Sequence, residues 1–308
     1  MVDARRQTTN SKSAVIPADV LARVRRIEIR ARRLVASVFL GEYHSVFRGR
    51  GIEFAEVRQY EPGDDIRAID WNVTARMGQP YIKKYVEERE LTVVLIVDVS
   101  ASSAFSSSGR TKRELAAEVA ATLAFAAVAN NDRVGMIAFT DRVEEYVPPA
   151  KDRRNVLRIL RELLYLEPEG RGTRIGAALS YLARVTRRRA IVFVLSDFFD
   201  DAYESQLRAA AIRHEVVALT LNDPREETLP DVGLLELEDA ETGKRIVVDT
   251  SDRAVRDGYA RRALESRARR RRALAAAGID EIELRTDRDY VEPLLRAFRL
   301  RERRRAGA

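Results

Sequence analysis

Apolar runs alternate along the chain with stretches in which apolar and charged residues follow helical spacing. The run Leu91–Val97 is apolar at nearly every position, which is typical of a strand covered on both faces of a sheet. Residues 190–196 and 215–221 repeat this pattern, and predicted helices separate the runs. The alternation predicts an α/β fold with a doubly wound, mainly parallel sheet.

The same pattern gives approximate bounds for the other elements. Residues 134–139 and 143–147 form a predicted strand pair, and the alternation on either side of Thr242-Gly243 predicts a β-hairpin. Thr111–Glu114 has the spacing of a capping box, which predicts that a helix begins there. The remaining predictions are a strand over 279–286 and helices over 111–129, 152–166, 174–186, 201–212 and 252–277 and from about residue 290.

Changes in this pattern divide the chain into four predicted parts. The first and last parts are short, a disordered lead and a basic tail. Between them lie an N-terminal helix with a small β-containing segment, and then the α/β domain. The predicted bounds are 1–16 for the lead, 17–90 for the helix and small segment, 91–300 for the α/β domain and 301–308 for the tail.

The part before the α/β domain is predicted in more detail. Residues Ala18–Val38 form an amphipathic helix, because apolar residues recur at helical spacing between arginines. We expect this helix to pack against the rest of the protein and not to attach to a membrane. A short helix capped by Asp64 or Asp65 follows. Trp71, the only tryptophan in the sequence, is interpreted as a core residue.

Composition narrows the kinds of chemistry that the chain can carry. With 45% hydrophobic and 33% charged residues, it is typical of a globular protein. It has no cysteine and only two histidines, His44 and His214, so any metal must be held mainly by oxygen. The longest apolar run, 115–129, is too short to span a bilayer, and the N-terminus lacks the apolar core of a signal peptide. We therefore expect a cytoplasmic protein without a transmembrane segment.

The net charge of +7 is concentrated near the C-terminus, where Ser251–Ala308 holds 17 arginines and 10 acidic residues. One hypothesis is a surface that binds nucleic acid or an anionic membrane. The other is a solvated helix face followed by a frayed tail. We favour the second, because no aromatic platform or nucleic-acid motif accompanies the arginines. Nucleic acid is therefore not an expected partner, although the first hypothesis stays open.

Oxygen-bearing side chains follow the predicted central strands. Asp98, Ser100 and Ser102 follow the first apolar run, Thr173 lies in a glycine-bearing loop, and Asp197 ends the run at 190–196. Ligands of doubly wound sheets bind at the carboxyl ends of such strands. Two carboxylates with three hydroxyls suit Mg²⁺ or Mn²⁺, which prefer oxygen ligands. Asp and Ser after a strand also form ordinary turns and helix caps, and that alternative remains open here.

Two motifs resemble known families. Asp98, Ser100 and Ser102 match the DxSxS motif of von Willebrand factor A (VWA) domains, whose metal-ion-dependent adhesion site also takes a Thr and an Asp from later loops. Thr173, in GTRIGAAL, and Asp197, in VLSDFFD, resemble those two residues. The segment RGRGIEFAEVRQYEPGDDIRAIDWNVTAR resembles the opening of the bacterial family called domain of unknown function 58 (DUF58). That family joins such a segment to a VWA-like fold, and the resemblance covers roughly residues 48–300.

The resemblance implies a non-enzymatic binding or adaptor protein. Its metal ligands would be Asp98, Ser100, Ser102, Thr173 and Asp197, and its ion Mg²⁺ or Mn²⁺. The ion would capture an acidic side chain of a protein partner. Members of the family are commonly encoded beside MoxR-type AAA+ ATPases, which implies a chaperone-like role in the maturation or remodelling of a client complex.

Enzymatic alternatives have less support in the sequence. SSSGRTKRE lacks the glycine spacing and GK[ST] of a P-loop, and the sequence has no GxSxG nucleophile elbow. Ser100 stands where phosphatases with a similar strand-end Asp have a second Asp. A magnesium-dependent hydrolase acting through Asp98 and Asp197 stays open, but it lacks an evident general base. We expect neither catalytic residues nor an organic cofactor.

Overall fold

Strands and helices alternate around one central sheet. The structure is a computed structural model that describes residues 18–47, 57–61, 64, 66, 69–83, 90–200 and 202–306. The strands are β1 (Val57–Gln59), β2 (Tyr81–Lys83), β3 (Thr92–Asp98), β4 (Arg133–Phe139), β5 (Val143–Ala150), β6 (Ile191–Ser196), β7 (Glu215–Asn222), β8 (Leu234–Glu238), β9 (Arg245–Asp249) and β10 (Asp280–Arg285). The helices are α1 (Ala18–Leu34), α2 (Leu40–Phe47), α3 (Trp71–Met77), α4 (Lys112–Ala129), α5 (Arg153–Tyr165), α6 (Ile175–Val185), α7 (Glu204–Arg213), α8 (Pro224–Glu227), α9 (Arg253–Ala276) and α10 (Val291–Ala306). The predicted disordered lead, residues 1–16, lies outside the described residues.

Six strands form the central sheet in the order β10-β7-β6-β3-β4-β5. Neighbouring strands are parallel except β4 and β5, which pair antiparallel at one edge. The chain leaves β3 toward β4 and β5, and it then returns to the other side of β3 to form β6, β7 and β10. The predicted doubly wound, mainly parallel sheet is confirmed, and the strand order reverses between β3 and β6.

Helices cover both faces of this sheet. On one face, side chains of α1, α2, α4, α5 and α10 pack against Val93, Leu95 and Val97 of β3. On the other face, α6, α7 and α9 pack against Val94 and Ile96. Burial on both faces explains why this strand is apolar along its length. No helix in the described part of the chain is long and apolar enough to cross a membrane.

The N-terminal helix packs against the α/β core, as predicted. A π-helical turn, Val35–Phe39, joins α1 to α2. Phe39 is fully buried and meets Phe298 of α10 edge-on, with ring centroids 6.1 Å apart. The Tyr43 hydroxyl donates a hydrogen bond to Asp132 at 3.3 Å. These contacts make the N-terminal helix part of the same hydrophobic core as the sheet.

In the next segment, the described helix begins later than predicted, and the prediction that Trp71 is a core residue was wrong. Helix α3 is capped by Asp70, whose Oδ1 accepts hydrogen bonds from two backbone N–H groups of the first turn. Asp64 instead pairs with Arg58 at 2.6 Å, and Asp65 lies outside the described residues. Trp71 is 67% exposed, and no other residue of α3 is buried either. The strands β1 and β2 pair antiparallel, as a small sheet of their own.

Arginines of the basic segment pair with acidic residues of β10, the strand at the edge of the sheet. On α9, Arg270 is buried, and its Nε donates to Glu281 at 2.8 Å. Arg267, one turn earlier, pairs with Glu283. The dense run of arginines on α9 therefore has a structural use in attaching this helix to β10.

Helix α10 continues to Ala306 and includes most of the predicted basic tail. Arg301 pairs with Glu215 at 2.9 Å, and Arg304 pairs with Asp280 at the same distance. These pairs keep the end of the chain helical where the sequence predicts a frayed tail.

Strands β8 and β9 form a separate antiparallel hairpin, referred to below as the hairpin. None of its strand residues is buried. The predicted turn at Thr242-Gly243 is confirmed, and Gly243 has a φ of 69°, which favours glycine. The hairpin is thus a peripheral arm attached to a well-packed domain.

Gly170 fixes the loop 166–174, which carries Thr173. Its N–H donates to the Glu144 carboxylate at 2.9 Å, and a side chain here would overlap the side-chain oxygens of Thr140 and Asp141. The loop can approach the turn between β4 and β5 only because this residue has no side chain.

Gly170→Ala is therefore expected to lower the free energy of unfolding by about 1–3 kcal/mol, the usual cost of overpacking. Gly172→Ala, in the same loop, is the matched control, because its nearest neighbour would lie 3.6 Å from the added Cβ. Urea denaturation measures both variants, and equal midpoints for the two would contradict this account of the loop.

Candidate metal site

The carboxyl ends of β3 and β6 meet where the strand order reverses. Their parallel register pairs Val97 with Leu195, so Asp98, the last residue of β3, lies beside Ser196. The Ser196 hydroxyl donates to Oδ2 of Asp98 at 2.6 Å. Asp197 follows directly, and it is 4% exposed where Asp98 is 3% exposed. Two segments 99 residues apart in sequence thus place two buried carboxylates side by side.

Asp98, Ser100, Ser102 and Asp197 form one hydrogen-bonded group, which we call the oxygen cluster. The Ser100 N–H donates to Oδ1 of Asp98 at 2.9 Å. The hydroxyl oxygens of Ser100 and Ser102 are 3.1 Å apart, and the Ser102 hydroxyl donates to Oδ2 of Asp197 at 2.9 Å. A 3-10 turn, Ala101–Ala104, brings Ser102 back toward Ser100 after the strand ends. The spacing DxSxS thus places these oxygens on one side of a tight turn.

The backbone after Asp197 is strained. Phe198 has a φ of 60°, which residues other than glycine rarely adopt. Its N–H donates to the Ser196 hydroxyl at 3.0 Å, and the Phe199 N–H donates to Oδ1 of Asp197 at 3.2 Å. The buried Phe198 ring meets Tyr203 edge-on, with centroids 5.6 Å apart. These contacts hold the strained turn and fix the Asp197 carboxylate.

Thr173 lies in the adjacent loop, but its hydroxyl does not join the oxygen cluster. The loop is bonded to the turn after β3, because the Ala101 N–H donates to the Arg171 carbonyl at 3.0 Å. The Thr173 hydroxyl donates instead to Oε1 of Glu241, at the tip of the hairpin, at 2.6 Å. Asp200 accepts a hydrogen bond from the first N–H of α6, which ties this loop to the one after β6.

A buried lysine lies beside the oxygen cluster. Lys112 is the first residue of α4 and is 1% exposed. Its Nζ donates to Oδ2 of Asp197 at 2.6 Å and to Oε1 of Glu226 at 2.5 Å. The predicted capping box of Thr111 and Glu114 is confirmed, and it fixes where Lys112 begins the helix. Burial by itself lowers the pKa of Lys112, but the charges of Asp197 and Glu226 outweigh it and raise that pKa above its ordinary value.

The cluster holds more negative than positive charge. Asp98, Asp197 and Glu226 face the single ammonium of Lys112, which leaves two negative charges in excess when all four are ionised. Asp98 forms no ion pair with any residue that the structure describes. Burial, and next the charge of Asp197, raise the pKa of Asp98 to about 7. The ionised form of Asp98 is therefore costly unless a cation comes near it.

The structure brings together four of the five predicted ligands, Asp98, Ser100, Ser102 and Asp197, and leaves Thr173 at the margin. Sequence reasoning missed Lys112, Glu226 and Glu241. The capping box gave the start of α4, but lysine is so rarely buried that nothing in the sequence marked Lys112 as a site residue. Glu226, in α8, and Glu241, at the tip of the hairpin, come from segments that no local pattern connects to the cluster.

Comparison with known proteins gives a family. The family model described as protein of unknown function DUF58 matches residues 56–269. The uncharacterized protein Rv1480 of Mycobacterium tuberculosis is 36% identical over 286 residues, which cover 92% of this chain and 90% of that protein. The uncharacterized protein MAV169 of Mycobacterium avium is 35% identical over 160 residues, or 51% of this chain and 94% of that one.

Solved structures with similar folds share little sequence with this chain. Conserved hypothetical protein BatB from Bacteroides thetaiotaomicron is 19% identical, with a TM-score of 0.44, and the match covers 71% of this chain and all of that one. The VWA domain of SpRpn10 is 10% identical, with a TM-score of 0.36, and the match covers 67% and 94% of the two chains. The doubly wound sheet described above is consistent with the VWA-like fold that the resemblance implies.

Asp98→Asn is expected to stabilise the protein in EDTA at pH 8 more than at pH 5. The raised pKa means that folded Asp98 holds its proton up to about pH 7, whereas the unfolded carboxyl releases it near pH 4. Folding therefore becomes less favourable as pH rises between these values, and the full cost applies above them. Asparagine removes that cost without changing the size of the side chain.

Thermal unfolding of wild type and Asp98→Asn at both pH values measures this difference. Asp257→Asn is the control, because it changes an exposed carboxylate on α9. An equal gain in thermal stability for Asp98→Asn at the two pH values would show that the pKa of Asp98 is not raised in the folded protein.

Proposed function

We propose a function for this chain from the premise that it belongs to the DUF58 family of proteins of unknown function. The chain is a non-enzymatic protein-binding module. It holds Mg²⁺ or Mn²⁺ at Asp98, Ser100, Ser102 and Asp197, and the ion captures an acidic side chain of a protein partner. The supporting observation is that two buried carboxylates, one of them without a cation partner among the described residues, lie with two hydroxyls where the strand order reverses.

The donor set suits a hard divalent cation. All four side chains offer oxygen, the kind of ligand that Mg²⁺ and Mn²⁺ prefer. The two negative charges in excess around Lys112 equal the charge of one such ion. Among the described residues, no group of three or more acidic, histidine or cysteine side chains could hold a metal, so the two serine hydroxyls are essential to the proposal.

A bound cation would supply positive charge that the partner's carboxylate can neutralise. The protein's own residues set how strong that attraction is. With only two carboxylates in the cluster, and Lys112 already paired with Asp197, the ion keeps part of its charge for the partner. Thr173, in the loop bonded to the cluster, is the fifth proposed donor, and its present hydrogen bond to Glu241 would have to be exchanged.

The proposed partner is a MoxR-type AAA+ ATPase, and the role a chaperone-like one in maturing or remodelling a client complex. The family resemblance supports this part of the proposal. A VWA-like domain that binds carboxylates through a cation would serve as the adaptor between such an ATPase and its client.

The two other hypotheses have less support. In the basic segment, Arg267, Arg270 and Arg304 pair with acidic residues of β10, which leaves less positive charge for nucleic acid or a membrane. A hydrolase would need a general base near the cluster, but His214 directly precedes β7 and so lies at the amino ends of the parallel strands, whereas the cluster lies at their carboxyl ends. His214 is buried, and its pKa is lowered by that burial.

Retention of the ATPase tests the proposed function. Immobilised wild type in Mg²⁺ is expected to retain a purified MoxR-type ATPase from the same organism. Asp98→Asn is expected to bind the ATPase about tenfold or more weakly, because a loss of about 1.4 kcal/mol of binding free energy gives that factor. Asp98→Asn replaces EDTA here, because EDTA would also remove Mg²⁺ from the ATPase nucleotide. Asp257→Asn is the control, and equal retention by all three proteins would overturn metal-dependent capture.

Lys112→Met is expected to tighten Mn²⁺ binding about tenfold or more, because it removes a positive charge beside Asp197. The same change lowers the free energy of unfolding without metal by about 3–5 kcal/mol, since Asp197 and Glu226 lose their buried partner. Calorimetric titration with Mn²⁺ measures the affinity. Lys151→Met is the control, because Lys151 directly follows β5, which β4 separates from β3. Unchanged or weaker Mn²⁺ binding in Lys112→Met would contradict the proposed position of the ion.

A further inference from the structure

The tip of the hairpin places a carboxylate against the loop 166–174, which carries Thr173. Oε1 of Glu241 accepts a hydrogen bond from the Thr173 hydroxyl at 2.6 Å. Its other oxygen would lie 3.6 Å from a Cβ added at Gly172. Glu241 thus lies over the two residues that follow Arg171, whose carbonyl is bonded to the turn of the oxygen cluster.

The turn at the tip holds Glu241 in a defined direction. Oδ1 of Asp239 accepts hydrogen bonds from the N–H groups of Glu241 at 3.0 Å and of Thr242 at 3.2 Å. The Gly243 N–H donates to the Asp239 carbonyl at 2.7 Å, which closes the turn. Glu241 is therefore presented from a rigid reverse turn and not from a loose loop.

Among the described residues, the charge of Glu241 has no cationic partner. No lysine or arginine that the structure describes forms an ion pair with it, and its side chain is half-buried. A half-buried carboxylate next to a site with excess negative charge is unfavourable unless a cation lies between them. A cation held by the oxygen cluster would compensate the charge of Glu241 as well.

The hairpin can leave this position at little cost. None of the residues Leu234–Glu238 or Arg245–Asp249 is buried, so moving the hairpin exposes little apolar surface. At its base, Gly233 has a φ of 79° and accepts a hydrogen bond from the Thr250 N–H at 2.8 Å. The base is fixed, and the tip is free to exchange one hydrogen bond for another.

We propose that Glu241 is the acidic ligand that this chain supplies to its own metal site, and that a protein partner must displace it. This inference rests on the proposed function. It assigns the partner's chemistry more closely: the partner presents a glutamate or aspartate from an exposed turn, in place of the Glu241 turn. Without a partner, the hairpin closes the site against weaker carboxylates.

The water-proton relaxation rate of the Mn²⁺-loaded full chain tests this directly, because it reports how many exchangeable waters the ion holds. Glu241→Ala is expected to raise the rate per bound Mn²⁺ roughly twofold, as when a six-coordinate ion held by the four side chains of the oxygen cluster and Glu241, with one water, gains a second water. Added N-acetyl-glutamate amide should return Glu241→Ala to the wild-type rate and leave wild type unchanged. Glu236→Ala, which removes an exposed carboxylate from the same hairpin, is the control and should match wild type.

A second readout does not depend on water counting. Mn²⁺ should slow hydrogen–deuterium exchange over residues 232–250 in wild type and in Glu236→Ala, and it should have no such effect in Glu241→Gln. If Mn²⁺ binds wild type with Asp98-dependent affinity but relaxation and exchange are the same in the Glu241 variants, the internal ligand is overturned and the proposed function stands. If Mn²⁺ does not bind wild type, both are overturned.

Discussion

The burial of negative charge at the carboxyl ends of β3 and β6 is the constraint on which the rest of the site depends. Parallel register forces Asp98 beside Ser196 and so beside Asp197, and both carboxylates are removed from water. Removing a charge from water costs several kcal/mol unless partners compensate. Lys112 compensates Asp197, and serine hydroxyls and backbone N–H groups partly compensate Asp98. The charge that remains is what makes the site suitable for a divalent cation.

Most of the fold and part of the site follow from local sequence patterns. Strands buried on both faces, such as β3, are marked by uninterrupted apolar runs, and the capping box at Thr111 marks the start of α4. The oxygen cluster was predictable because its residues directly follow such strands. Lys112 was not, because its burial depends on Asp197 and Glu226, which come from segments far away in the sequence. Trp71 was misjudged for a related reason, since no local pattern tells whether another element will cover a side chain.

Two side chains from segments far away in the sequence would set how selectively the proposed site binds a cation and a partner's carboxylate. Glu241 reaches the Thr173 loop from a hairpin that is otherwise exposed, while Lys112 reaches Asp197 from inside the core. In the proposed function, the first is an internal carboxylate that a partner's carboxylate would replace, and the second is an internal cation that would limit how tightly a metal is held. In the proposed function these two side chains would balance the site for reversible capture, and the packing of the Phe198 ring against Tyr203 holds the strained turn in place.

The most direct test of this account is a crystal of the wild-type protein grown with Mn²⁺ and measured at a wavelength where manganese scatters anomalously. The account predicts one anomalous peak within coordinating distance of Asp98, Ser100, Ser102 and Asp197, with the Nζ of Lys112 still near Asp197 and Glu226. It would be contradicted by a well-ordered crystal in which manganese is absent from the oxygen cluster and the hydrogen bond from Ser102 to Asp197 is unchanged.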